Sequence, residues 1–107
     1  MLRIAVLASG RGTNFQALHD ACASGYLEAN VVCVLTNKRK AGVIERAEAA
    51  GVEVLVLPHK GRDPLDVDED IVRLFDERDV GLACNAGYMR VRGRGYCKAL
   101  EGRAMNI

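Results

Sequence analysis

Four strand-length apolar runs recur along this chain at helix-length intervals: Ile4-Ala5-Val6-Leu7-Ala8, Val31-Val32-Cys33-Val34-Leu35, Val52-Glu53-Val54-Leu55-Val56-Leu57, and a weaker run from Val80 to Ala86 that Gly81 and Asn85 interrupt. A nearly continuous apolar run suits a strand buried on both faces, as in a parallel sheet. Between the runs the apolar spacing becomes helical. Phe15, Leu18, Ala21 and Cys22 make one stripe, Val43, Ile44 and Ala47 a second, and Leu65, Val67, Ile71, Val72, Leu74 and Phe75 a third. Strands alternating with helices imply right-handed crossovers and an α/β fold, a doubly wound parallel sheet. A short helix and the opening of a last strand over Gly102–Ile107 bring the expected sheet to about five strands, the fifth a stub at which the sheet is truncated.

Local signals place the element ends. The first strand is expected over Arg3–Ala8 and the first helix over about Asn14–Ser24, with Gly25 as its stop. The second helix covers about Ala41–Ala50 and stops at Gly51. Asp63-Pro64 opens the third helix with a carboxylate cap and a proline at the first helical position. Asp66, Asp68, Glu69 and Asp70 then load its N-terminal half with charge that suits the helix dipole, and they read as a solvated face.

Between the first strand and the first helix stands Ser9-Gly10-Arg11-Gly12-Thr13-Asn14. Two glycines let the backbone approach a ligand closely. The first N–H groups of the following helix have no intrahelical partner, and the helix dipole adds positive charge there, which suits a phosphate. The stretch is not a Walker A loop. It also lacks the third glycine of the dinucleotide fingerprint, because Phe15 stands in that place. A ligand-free turn capped by Asn14 or Thr13 is the other reading.

Further along, the second strand runs into Thr36-Asn37-Lys38-Arg39-Lys40, where an NAD-binding domain usually carries an acid for the ribose hydroxyls. None is present. The basic trio reads as a solvated loop, with the extra phosphate of NADP as the alternative. His59, Lys60 and Arg62 follow the third strand, on the side where open α/β sheets bind ligands. His19 falls between stripe and solvent. Gly87–Tyr96 holds three arginines and two tyrosines, a pattern seen in RNA-binding segments. The chain's net charge of +1 nevertheless gives no general bias toward nucleic acid or membrane. No apolar run approaches the ~20 residues of a membrane span. Cys22, Cys33, Cys84 and Cys97 form no C-x-x-C pair, so neither a zinc site nor a disulfide framework is expected, and the setting reads as cytoplasmic with reduced thiols.

Taken together, Val6–Ala17, Thr36-Asn37-Lys38, Ala86-Gly87-Tyr88-Met89-Arg90 and Met105-Asn106-Ile107 resemble the phosphoribosylglycinamide formyltransferase family of purine biosynthesis. The resemblance spans the 107 residues as a single domain, the N-terminal, ribonucleotide-phosphate-binding half of the family's length. It implies a Rossmann-like sheet and formyl transfer from 10-formyltetrahydrofolate, a co-substrate, to the amine of glycinamide ribonucleotide. No metal is implied. The family's phosphate turn maps onto Gly12, Thr13 and Asn14, and its folate-lining segment onto Met89, Arg90, Val91 and Arg92. The asparagine that polarises the formyl oxygen, and adjoins the folate, maps onto Asn106. Such an amide donor stabilises the negative charge that amine attack puts on that oxygen.

The chain also departs from the family pattern. The family's catalytic histidine and aspartate would follow Ile107, so the 107 residues alone are expected to turn over poorly. Arg92-Gly93-Arg94-Gly95 replaces an apolar folate wall. Arg62 stands nearest to an arginine that the family places at the start of the third helix. The expected partners are small-molecule substrates. Through the open edge of the last strand, the alternative role is a non-catalytic nucleotide-binding or partner module, which pairs with a complementing C-terminal half or with itself.

Overall fold

In the computed structural model, which describes residues 1–88 and 104–106, the apolar runs are parallel strands and the amphipathic stretches between them are helices. The order is β1 (Leu2–Leu7), α1 (Thr13–Ala23), β2 (Ala29–Thr36), α2 (Gly42–Ala49), β3 (Glu53–Val56), α3 (Pro64–Glu77), β4 (Leu82–Asn85) and β5 (Ala104–Asn106). The sheet runs β3-β2-β1-β4-β5. The first and second crossings move outward from β1, and the long crossing from β3 to β4 returns over the other face. The expected doubly wound α/β sheet is therefore present. The short helix expected before β5, and Cys97, lie outside the described residues.

Two cores result, one on each face. Ala5, Leu7, Cys33, Leu35 and Ala83 pack against Val67, Ile71 and Phe75 of α3. Ile4, Val6, Val31, Val34 and Cys84 pack against Phe15 of α1 and Val43 and Ala47 of α2. Strict alternation is broken once: Val32 and Cys33 both pack on the α3 side. The β1–β2 register slips one residue between Ile4 and Ala5, which places two residues of β2 opposite one step of β1.

Several local expectations hold. The Asp63 carboxylate accepts the Leu65 N–H at 2.8 Å, with Pro64 at the start of α3. Gly25 and Gly51 follow the last residues of α1 and α2. Others are corrected. Leu65, expected inward, is 53% exposed. The buried stripe of α3 is Val67, Ile71 and Phe75, and Leu65 lies about 200° around the helix from Val67. Asp68, expected on a solvated face, is 1% exposed because it stands three residues before Ile71 and shares the inner side. Val80 does not begin β4. Its N–H closes onto the Phe75 carbonyl at 3.0 Å and ends α3 instead.

The end of α3 is clipped to the sheet by Arg78. Its guanidinium donates to both Glu53 carboxylate oxygens at 2.7 and 2.9 Å and to the Leu74 carbonyl, while its own carbonyl accepts from Arg3 Nε. The paired guanidinium holds the Glu53 carboxyl below the usual carboxylate range.

Candidate functional site: the glycine turn and the strand ends beside it

Every described strand ends on the same side of the sheet, and the turn after β1 sits at its middle. The chain leaves β1 through Ala8, whose N–H donates to Leu35, and Ser9, whose hydroxyl donates to the Asn37 side chain. Those bonds tie the end of β1 to the end of β2. α1 is then capped at Gly12, not at Asn14 or Thr13. Gly12 is the N-cap, with φ of 79° and no side-chain cap bond. An alanine Cβ at this position would lie 2.6, 2.7 and 2.8 Å from Val43 Cγ2, Cβ and Cα. The turn is pressed onto α2, so this position must be both left-handed and bare, which only glycine satisfies.

α2 also takes up the carbonyls of the turn. Val43 N–H donates to Gly10 at 3.0 Å, and Arg46 Nε donates to Arg11 at 2.8 Å. The first helical bond of α1 is Gln16 N–H to Gly12, at 2.9 Å. The N–H groups of Thr13, Asn14 and Phe15 precede it, and no side chain caps them. Thr13 and Asn14 are exposed and Gly12 is buried. With the Gly10 and Arg11 carbonyls taken up by α2 and no side chain capping its leading N–H groups, the turn presents the positive end of the α1 dipole.

Across the sheet, Leu55, Leu35, Leu7, Asn85 and Asn106 lie in one row. Asn106 is thus two strands from β1, roughly 10 Å at ordinary strand spacing. It lies at the same end of the sheet as the turn. Asn85 lies between them, and its side-chain oxygen accepts the Tyr88 N–H at 2.9 Å, which shapes the exit from β4. The ring of Tyr88 meets that of His59 edge-on at 5.8 Å, so the segment after β4 packs against the segment after β3. Arg62 is bound to Asp70 at 2.8 Å and holds that carboxyl below its usual range. His19 stacks on Phe15, away from the turn. Met89, Arg90, Val91 and Arg92 lie outside the described residues.

Sequence reasoning singled out the turn but missed Gly42 and Asn85. Gly42 has no local signature, because its reason is the Arg11 Cα that a Cβ would meet at 3.1 Å. Asn85 stood out only as an interruption, although Asn-Ala-Gly is a recognisable turn signal. The described cysteines suit packing: burial pushes the Cys33 thiol up to about 11 and raises Cys84 as well. Among the described residues no His, Cys, Asp or Glu cluster is suited to hold a metal ion, and no helix is long and apolar enough to cross a membrane.

Comparison with known proteins bears on the fold and the family. The phosphoribosylglycinamide formyltransferase of Haemophilus influenzae is 36% identical over 108 residues, covering 100% of this chain and 51% of the relative. The trifunctional purine biosynthetic protein adenosine-3 of Drosophila melanogaster is 40% identical over 109 residues, covering 98% of this chain and 8% of that protein. The crystal structure of glycinamide ribonucleotide transformylase 1 from Symbiobacterium toebii superposes with a TM-score of 0.94 at 34% identity, covering 99% of this chain and 50% of that one. The chain therefore spans about half the length of the Haemophilus and Symbiobacterium proteins. The model of the family described as formyl transferase matches residues 2–107, and with the fold in agreement, this chain belongs to that family.

Proposed function

We propose that the chain forms the nucleotide-phosphate half of a formyl-transfer site. The reaction moves the formyl group of 10-formyltetrahydrofolate to the amine of glycinamide ribonucleotide, in purine biosynthesis. One observation carries this reading: the register sets Asn106 two strands from the Gly12 turn at the same end of the sheet. A small nucleotide held by its phosphate at the turn would extend toward Asn106.

In this reading Gly12, Thr13 and Asn14 hold the phosphate, and Met89, Arg90, Val91 and Arg92 line the folate. The amine attacks the formyl carbon, and Asn106 donates a hydrogen bond to the oxygen as it becomes negative. The new C–N bond forms, the bond to folate N10 breaks, and the proton lost by the amine ends on N10. The family resemblance gives that proton transfer to a histidine and an aspartate that are not among the 107 residues. Taken alone, the chain is expected to bind nucleotide and to turn over poorly. A positioned acid–base group of that kind typically contributes about 10²–10⁴ in rate. The setting proposed is cytoplasmic, with reduced thiols.

A thermal-shift titration with glycinamide ribonucleotide tests the reading. Ligand at 100 times its Kd adds about 2.7 kcal/mol, a rise of roughly 10 °C or more for a domain of this size. Glycinamide riboside, which lacks the phosphate, is expected to give no rise. Asn14→Asp sharpens the test, because a carboxylate in the first turn suits the helix dipole, by about 0.3–1 kcal/mol, but repels phosphate. That variant is expected to melt no lower than the parent and to lose the ligand response. Equal shifts from nucleotide and riboside, or none from either, would sink the proposal.

One observation favours a second role beside the first. β5 is the outer strand among the described residues, and next to it lies a cavity of about 320 Å³ lined by apolar side chains including Leu2, Leu18, Leu27 and Met105. The occupant proposed is the half of the relatives' length that this chain does not span. Light scattering with and without that half of a relative reads the association, and a monomer unchanged by the addition argues against it.

A further inference from the structure

Beside the Gly12 turn stands a basic loop that the phosphate reading leaves unused. Residues 37–41 carry Lys38, Arg39 and Lys40 with no carboxylate among them, although the whole chain is only +1. All three side chains are exposed, and none is ion-paired among the described residues. The loop is pinned to the turn on both sides. Ser9 donates to Asn37 before it, and Val43 N–H donates to Gly10 after it. Within the loop, Lys38 N–H reaches Thr36 Oγ1 at 3.3 Å, and Ala41 N–H reaches the Lys38 carbonyl at 3.2 Å. Arg11, also exposed, adds a fourth cation in the turn. Glu45, in the first turn of α2, is the nearest carboxylate along the chain.

We propose that Lys38, Arg39 and Lys40 form an electrostatic guide that speeds the approach of a dianionic phosphate ligand to the Gly12 cradle without holding it there. This rests on the phosphate reading above. Magnitudes separate guiding from holding. An exposed charge pair in water contributes only about 0–1 kcal/mol to a bound state, because solvent screens it. The field of clustered cations still reaches about one Debye length, ~8 Å at physiological salt, and such fields raise association rates by about 10–10³-fold. The backbone N–H groups of the cradle are fixed and need no help from flexible side chains to retain the anion. The loop therefore acts on the rate of arrival.

The test is phosphorus NMR line-shape analysis of glycinamide ribonucleotide with the full chain, which yields association and dissociation rates together. The variant is Lys38→Ser, Arg39→Ser, Lys40→Ser, and its melting temperature is checked against the parent. Arg39→Ser alone carries the test if the triple variant melts early. At ~20 mM ionic strength the triple variant is expected to associate roughly 5–10-fold more slowly, with the gap closing below about twofold near 0.5 M salt. Dissociation is expected to stay within about twofold, as rate-selective steering requires. Faster dissociation at unchanged association would overturn the proposal, since the cations would then be holding the ligand. So would equal rates for both chains at low salt. If the parent shows no exchange with the nucleotide, the phosphate reading fails and the guide fails with it, an outcome distinct from binding that ignores the loop.

Discussion

Replacing Gly12 by alanine imposes two costs at one position. The residue sits at φ of 79°, and its new Cβ would lie 2.6–2.8 Å from three atoms of Val43, one of them backbone. A left-handed conformation costs a non-glycine residue about 1–2 kcal/mol. Carbon atoms rest at about 3.5–4.0 Å, so α2 must retreat by roughly 1 Å. Overpacking of that kind costs about 1–3 kcal/mol. The retreat also strains the bonds from Val43 to Gly10 and from Arg46 to Arg11. The expected loss is about 2–5 kcal/mol, a large share of the 5–15 kcal/mol that stabilises a typical domain.

Two companions separate the causes. Gly25→Ala meets nothing within 4 Å but keeps a φ of 83°, so it should lose only the conformational part, about 1–2 kcal/mol. Gly10→Ala meets nothing and has no positive φ, so it should stay within about 0.5 kcal/mol of the parent. Urea unfolding followed by far-ultraviolet circular dichroism ranks the three. A Gly12→Ala chain as stable as Gly25→Ala would refute the claim that α2 leans on the turn.

Three further outcomes are expected. In a double-mutant cycle on Arg78→Ala and Glu53→Ala, the coupling should be about 0.5–1 kcal/mol near neutral pH, since Glu53 is half exposed. Because the folded carboxyl of Glu53 lies below its ordinary value of 4.5, the coupling should be full above that value and fade as pH falls through the lowered one. A coupling that persists in acid would contradict the assignment. Asp63→Ala removes the cap that receives the Leu65 N–H and should cost about 1 kcal/mol by urea titration. With its thiol pushed from 9.0 up to about 11, Cys33 holds about a hundredfold less thiolate than an ordinary thiol near pH 8, so mass spectrometry after iodoacetamide should find it labelled only in urea. Prompt native labelling of Cys33 would contradict its burial.

What was legible in advance was local. Asp63-Pro64 caps α3 because a carboxylate can reach an N–H two residues on, and no distant group is needed. The apolar runs marked strands because burial on both faces leaves no polar alternation to dilute them. The strand-to-helix turn was legible for the same reason, since its glycines and the helix start after them are local signals. Apart from Val80, which closes onto Phe75 five residues back, the misreadings involve a neighbour far along the chain. Asn14 and Thr13 are plausible caps, yet α2 presses on the turn and leaves the position to Gly12. Asp68 and Leu65 exchange the environments expected of them because the direction from which the sheet covers α3, not hydropathy, fixes its inner side.

Composition and periodicity along the chain therefore determine which segments become strands and helices, and where several of them stop. Those properties depend on contacts within a turn or two of each residue. The order β3-β2-β1-β4-β5, the slipped register at Ile4, and the setting of Asn106 within two strands of Gly12 belong to the tertiary structure alone. They join segments separated by tens of residues, whose meeting is decided by which sheet faces can be covered at once.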